Sequence, residues 1–386
     1  MRKALIDASP PCIKCQNPID HVTYLDHAAI DLPLGDGYYE MQASCRPGPN
    51  WTVMDLINKY QAEPRGRRNL ENPTRLLRDK TYLIELPWSL DLPPDICARA
   101  TAKSSIGRLD ALVRLIADYE YEFETVQRSA GPCAKHLYLE VRPNTFDLEV
   151  RPGKALSQLR FFHGEERHCT LSPELLDFEQ SPPLINPDGS RAKGRPIVGD
   201  WESMLLTLNL EPDAALGFSG FVAKEPARLP FDPDGKVIAL DPTKRGHERY
   251  DPKAFWEEVR TDGCSVKIEQ NRFYLFRSIE RFELPAHLAV DCRAVSESLG
   301  DIRIHYAGFA HPFFGARRKG GRRGAPLIFE VRGYQFPTIL HHGTALAKIA
   351  FRRMSAPAPE PQSVDDDDYT HQELQLSKCF APWTKE

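Results

Sequence analysis

A chain of 386 residues, 41% hydrophobic and 27% charged, can bury one large core or two moderate ones, so two domains are expected. The net charge of −4 excludes a protein that coats a polyanion through its overall charge, and any contact with nucleic acid or nucleotide must be local. Met1-Arg2-Lys3 is followed by too few apolar residues for a secretion signal and no run is long enough to span a bilayer, which points to the cytoplasm and to no membrane partner.

The 33 prolines and 24 glycines, set between short runs of Val, Ile, Leu, Phe and Tyr, predict strands and turns with few long helices. Nine cysteines, an odd number in a chain without a secretion signal, read as reduced thiols. Pro11-Cys12-Ile13-Lys14-Cys15 is half of a zinc-deaminase signature. The only His-x-Glu, His371-Gln372-Glu373, lies far downstream and in the wrong order, so no zinc is expected. Ala29 to Tyr39 alternates through Gly35-Asp36-Gly37 and reads as a strand at a hairpin entrance. Residues 51–61 read as a short helix and Arg65 to Arg68 as a basic loop. Strands follow at Tyr82–Leu86, Leu112–Ile116, Leu137–Val141 and Leu156–Phe162. Between the first two lies Lys103-Ser104-Ser105-Ile106-Gly107-Arg108. Its hydroxyls and backbone N–H groups can nest an anion, and Lys103 and Arg108 can add charge-assisted hydrogen bonds to phosphate; the alternative is an ordinary solvated turn.

Residues 164–235, rich in Pro, Gly and Asp, read as a connecting segment, after which the earlier pattern returns. Tyr274 stands ten residues before Leu284-Pro285, as Tyr82 stands ten before Leu92-Pro93. Glu330 in Leu327–Arg332 matches Glu140 in Leu137–Arg142, and Phe336, Gly343 and Leu346 repeat Phe146, Gly153 and Leu156, all at an offset of 190 (330 − 140). Coincident landmarks at one spacing mark a duplicated β-domain, each copy closing antiparallel strands into a barrel or sandwich. The expected boundaries are 1–163 and 236–355 for the two domains, 164–235 for the connection and 356–386 for a C-terminal linker and arm.

The order of elements in both halves is strand, Leu-Pro, basic-Ser-Ser-x-Gly-Arg, hairpin, apolar-Glu-Val strand and terminal glycine turn. It resembles the dCTP deaminase branch of the trimeric dUTPase superfamily, in particular its long two-domain bacterial members, from about Ala29 to the C-terminus. The resemblance implies a mainly β protein of two tandem dUTPase-like β-clip domains with few short helices. It also implies a nucleotide triphosphate bound between β-domains, and hydrolytic deamination of dCTP to dUTP and ammonia, supplying dUTP for thymidylate synthesis, with no metal at the reacting carbon.

Carried over position by position, Ser104, Ser105 and Arg108, with Lys103 in place of a family arginine, fall on the phosphate-binding motif. In the second copy Arg293 to Ser298 lacks adjacent serines followed by arginine, and Glu297 would repel phosphate. Conversely, Tyr306 to Gly315 resembles the family hairpin that clasps pyrimidine and deoxyribose, with Ala307, Gly308, Phe309 and His311 as substrate contacts, a structural histidine being the alternative for His311. The first copy has the bulky, acidic Ala117-Asp118-Tyr119-Glu120-Tyr121 there. The expectation is a division of labour in one composite site between the domains. The first domain holds phosphate, and the second supplies the base pocket and Glu330.

Replacing the 4-amino group of cytosine requires a water to be deprotonated as it attacks C4, and protons to reach N3 and the departing ammonia, which one glutamate can do in turn. Glu330 is the expected catalytic residue, assisted by Ser104 and Arg108, and Glu140 is the alternative carboxylate. Flanked by Phe329 and Val331, Glu330 is expected to gain a raised pKa from burial; an outward-facing strand glutamate is the alternative. His311-Pro312-Phe313 replaces the family's Asp-Pro-Gly, putting an aromatic where a glycine can take φ > 0, which either alters only the turn or fills the pocket.

Arg317, Arg318, Lys319, Arg322 and Arg323 form a basic loop that either steers triphosphate or is simply solvated. Tyr369 to Lys378 is similar to the family's closing arm, with Tyr369, Gln372 and Lys378 as nucleotide contacts; the alternative is a disordered polar tail. Mg²⁺ is expected through the triphosphate. The partners expected are the nucleotide dCTP, with dTTP or dUTP as inhibitor, no nucleic acid, and a second copy in a homodimer. The alternatives are a dUTP pyrophosphatase or bifunctional enzyme, and an inactive nucleotide-binding regulatory protein.

Overall fold

Apolar runs of period two become strands in the computed structural model, which describes residues 12–15, 21–26, 28–48, 50–127, 135–164, 166–172, 182–192, 195–197, 200–294, 303–304, 308–316, 324–333, 336–359 and 372–384. The chain divides into two units, Met1–Cys169 with Val237–Lys244, and Thr170–Lys236 with Arg245–Glu386. Among the described residues there are two α-helices, and no helix is long and apolar enough to cross a membrane.

In the first unit β1 (Ile30–Pro33), β2 (Gly37–Met41), α1 (Val53–Tyr60), β3 (Thr74–Leu76), β4 (Thr81–Leu90), β5 (Ile96–Ala102), α2 (Ser104–Gly107), β6 (Ala111–Ala117), β7 (Thr125–Val126), β8 (Lys135–Pro143), β9 (Leu148–Val150) and β10 (Ala155–His163) follow in order. One sheet holds β2-β4-β8-β6 side by side, another β1-β10-β5-β7, and β3 pairs with β9. The Gly35-Asp36-Gly37 turn therefore does not close a hairpin, because β1 and β2 enter different sheets. Gly35 makes the crossing by donating its N–H to the Glu85 carbonyl at 2.8 Å, so close that a Cβ would lie 2.7 Å from that oxygen. The expected short helix forms as α1. Thr52 and Asp55 cap it reciprocally, and it buries Val53 and Ile57 with Tyr39, Met41, Leu83 and Ile116.

The second unit contains β11 (Asp200–Asn209), β12 (Gly220–Ala223), β13 (Trp256–Val259), β14 (Ser265–Ile268), β15 (Phe273–Phe282), β16 (Leu288–Ala294), β17 (Arg303–Ile304), β18 (Phe309–Ala310), β19 (Ala325–Arg332), β20 (Thr338–His341) and β21 (Ala345–Arg353). Its core gathers Leu208, Phe276, Phe282, Leu288, Phe329 and Ile349. The segment read as a connection contributes β11, which pairs with β21, and β12, which pairs with β15. Val237–Lys244 belongs instead to the first unit, where Leu240 pairs in parallel with Leu148.

The duplication holds at the level of strand register. Glu140 lies opposite Leu83 in β8–β4, and Glu330 opposite Leu275 in β19–β15. Leu159 faces Ala100 in β10–β5, as Ile349 faces Cys292 in β21–β16. Leu148 faces Leu76 in β9–β3, as Thr338 faces Ile268 in β20–β14. Even a side-chain bond is repeated: the Tyr82 hydroxyl accepts the Leu77 N–H at 3.0 Å and the Tyr274 hydroxyl accepts that of Glu269 at 3.1 Å.

Candidate active site

Lys103 to Arg108 joins β5 to β6 as a single helical turn. The Lys103 carbonyl accepts from Ile106 N at 2.8 Å and Gly107 N at 3.1 Å, which holds Ser104 and Ser105 at the half-exposed start of the turn. Lys103 is ion-paired with Asp31 of β1, whose carboxyl is pushed up by burial and held back by Lys103. Arg108 is buried, next to a buried Asp110 that accepts the Thr145 hydroxyl at 2.6 Å. The four residues assigned to phosphate thus share one turn, with the hydroxyls and the lysine outermost. Their second-copy counterparts at 296–298 lie outside the described residues.

The two duplicated glutamates differ in their surroundings. Glu140 is fixed by Arg114, whose Nε lies 3.1 Å from Oε1, by the Ser44 hydroxyl at 3.2 Å and by the Cys45 N–H at 3.3 Å. Arg114 also stacks 3.6 Å from the centre of the Phe123 ring. Burial, followed by the Glu140 charge, pushes the Cys45 thiol up to about 11.

Glu330 is 0% exposed on β19, so the outward-facing alternative is excluded. Its neighbour is Cys292 of β16, a thiol pushed up to about 12 by burial first and by Glu330 and Asp291 next. The N–H of Cys292 donates to the Gly308 carbonyl at 2.7 Å, so one residue links the glutamate to the hairpin. In the first unit Ala100 occupies that position. Asp291 is bound to Arg352 of β21 at 2.7 Å within the second unit. Asp291 and Cys292 were missed in the sequence, although a polar pair inside an apolar strand was a readable signal.

The hairpin carries Phe309 beside His311, ring centres 4.7 Å apart and edge to face. His311-Pro312-Phe313-Phe314 is a tight turn closed by Phe314 N donating to His311 O at 3.1 Å, with Phe313 at φ +67°. The aromatic therefore keeps the left-handed turn a glycine would make. Phe314 is buried against Phe282, and Gly315 at φ +68° is obligatory because a Cβ would collide with the Phe282 carbonyl. The structural counterpart of Gly308-Phe309-Ala310 in the first unit is Glu124-Thr125-Val126: Ala100 N donates to Glu124 O at 2.7 Å, and β7 pairs with β5 as β18 pairs with β16. The acidic stretch read there has a scaffold role, since Asp118 holds Val53 N at 2.8 Å and Glu120 is ion-paired with buried Lys135. Ala307, Tyr369 and the basic loop of Arg317, Arg318, Lys319, Arg322 and Arg323 lie outside the described residues.

The described part of the C-terminal arm is built into the second unit. Gln372 is buried and donates to Pro326 O at 3.0 Å, at the start of β19, and Arg281 grips Glu373 at 3.1 Å. Phe380 packs against Tyr250, Phe255 and Trp256, and Trp383 against Phe218 and Phe221. Lys378 sits half-exposed between buried Ser377 and Cys379.

Two modules of one strand plan, repeated in register, define a mainly β fold of the dUTPase-like class. Family models agree: the 2'-deoxycytidine 5'-triphosphate deaminase N-terminal domain matches residues 4–165 and the C-terminal domain matches residues 203–380. Among solved structures, the crystal structure of 2'-deoxycytidine 5'-triphosphate deaminase from Agrobacterium tumefaciens is similar at 30% identity and a TM-score of 0.74, covering 89% of this chain and 94% of that one. No curated protein sequence matches. The chain belongs to the dCTP deaminase family, hydrolases acting on a pyrimidine nucleotide; neither the pyrophosphatase nor the inactive-binder alternative is favoured.

Proposed function

We propose that this chain converts dCTP and water to dUTP and ammonia, with Glu330 as the general acid and base. The observation that carries the assignment is the burial of Glu330 beside Cys292, whose N–H anchors Gly308 of the hairpin. In this reading Glu330 takes a proton from the water that attacks C4 and passes it to N3, then takes the remaining proton from the new C4 hydroxyl and delivers it to the leaving amine, so C4–O forms and C4–N breaks. Lys103, Ser104, Ser105 and Arg108 hold the triphosphate, their cationic and hydroxyl donors suiting phosphate oxygens. That donor set does not suit a hard cation, so Mg²⁺ belongs to the substrate as its nucleotide complex. Gly308, Phe309 and His311 line the base and sugar. A cytoplasmic homodimer is part of the proposal, to be checked by light scattering.

The test is ammonia and dUTP production by Glu330→Gln and Ser104→Ala. Glu330→Gln is expected to lose at least about 10³-fold in kcat with dCTP binding retained, and Ser104→Ala to raise KM for dCTP about tenfold or more. Full activity in either variant overturns the corresponding role.

A further inference from the structure

Because the two modules repeat strand for strand, an edge covered in one and left without a strand partner among the described residues in the other shows what the second edge is shaped to take. In the first unit the outer edge of β9 is covered by the returning segment Val237–Lys244. Glu149 donates its N–H to Leu240 O at 3.0 Å, Leu240 donates its own to Asp147 O at 2.9 Å, and the pairing is parallel. Val237 and Leu240 are buried, and Phe146, beside this edge, is 0% exposed. Two arginines fix the segment's ends: Arg75 donates to the Val237 carbonyl, and Arg151 pairs with Asp241 at 3.3 Å.

The twin edge in the second unit is β20. Phe336, the counterpart of Phe146, is 58% exposed, and Ile339, the counterpart of Glu149, is 61% exposed. The β14–β20 register equals that of β3–β9, so the Ile339 N–H and Pro337 carbonyl point away from β14, as those of Glu149 and Asp147 point away from β3. The positions of Arg75 and Arg151 are again basic, Lys267 and His341; Lys267 also pairs with Glu269 at 2.9 Å on the surface. A hydrogen-bonding edge, two exposed apolar side chains and a basic residue at each end are thus retained where the first unit's covering strand has no twin among the described residues.

We propose that the outer edge of β20 docks an extended segment of a partner protein, apolar residues followed by a carboxylate, added as a parallel strand over Phe336 and Ile339. The chemistry of the occupant is that of Val237-Ile238-Ala239-Leu240-Asp241 on the twin edge, and main-chain bonds to an exposed strand edge are a general mode of peptide capture. Self-pairing of two β20 edges fits less well, since it brings Lys267 and His341 of both copies together.

The probe is a fluorescein-labelled peptide Gly-Lys-Val-Ile-Ala-Leu-Asp-Pro-Thr, the sequence of residues 235–243, titrated into the full chain by anisotropy. Saturable one-to-one binding is expected, weakened about tenfold or more by Ile339→Lys and by Lys267→Glu, with deaminase activity and Tm unchanged because both side chains are exposed. A peptide carrying lysine in place of its aspartate should bind correspondingly less well. No saturable binding by about 1 mM overturns the proposal. So does binding indifferent to Ile339→Lys, which would place the peptide on the first unit. A dimer that Ile339→Lys splits, with no peptide binding, assigns the edge to a second copy and also overturns it.

Discussion

Glu140 and Glu330 stand at equivalent positions of equivalent strands, and their neighbours separate them. Arg114, Ser44 and Cys45 commit the Glu140 carboxylate to a buried ion pair, which the sequence could not reveal because those partners are distant in the chain. Glu140→Gln is therefore expected to leave kcat intact and to lower stability by roughly 3 kcal/mol, since it strands the Arg114 charge in the interior. Urea unfolding beside an ammonia assay checks both halves; a large loss of kcat would return Glu140 to the chemistry. The thiols offer a second test at this scale. With the Cys45 thiol pushed up to about 11 and that of Cys292 to about 12, both remain protonated at pH 8. Iodoacetamide at that pH should label exposed Cys264 and leave Cys45 and Cys292 unmodified in peptide mass spectra of the native protein.

At the scale of elements, the hairpin turn holds an aromatic residue in a conformation suited to glycine. Phe313 at φ +67° carries left-handed strain of about 1 kcal/mol or more, compensated by packing of the adjacent Phe314 and by the backbone bonds around it. Phe313→Gly and Phe313→Ala both remove the ring, but only alanine keeps a Cβ in that region. The glycine variant should be more stable than the alanine variant by about 1 kcal/mol, measured as the shift in urea midpoint; the reverse order would mean the turn does not need φ > 0. The strands themselves were legible, because apolar runs and the 190-residue spacing of Glu140 and Glu330 carry register directly. The first copy's hairpin was not. Between β6 and β7 that copy carries extra residues around Asp118 and Glu120, while the second copy carries its extra residues between β18 and β19, so an alignment by constant spacing slips at this point. The crossing at Gly35 was missed for a similar reason, since a Gly-Asp-Gly turn signals reversal but not the sheet the chain enters next.

For the molecule as a whole, the arm at the C-terminus decides how the second unit is stabilised. The resemblance implied a segment that orders over bound nucleotide, yet Gln372, Leu374, Leu376, Cys379 and Phe380 are already buried in that unit. Phe380 is buried among Tyr250, Phe255 and Trp256, the Tyr250 N–H donates to Cys379 O at 2.8 Å, and Ala381 N returns a bond of 2.8 Å to Tyr250 O. Gln372 and Glu373 tie the near end to β19 and β15. Aromatic burial of this kind contributes far more than a polar tail could, and its removal leaves a cavity in a unit whose neighbouring strand bears Glu330. Phe380→Ala should cost about 3–5 kcal/mol, which for a unit of this size corresponds to a fall in Tm of roughly 6–20 °C. In the absence of nucleotide, limited proteolysis should leave peptide bonds within 372–384 uncut in the wild type and cut them in Phe380→Ala. Protection that arises only when dCTP is added would restore the closing arm for these residues and remove them from the core.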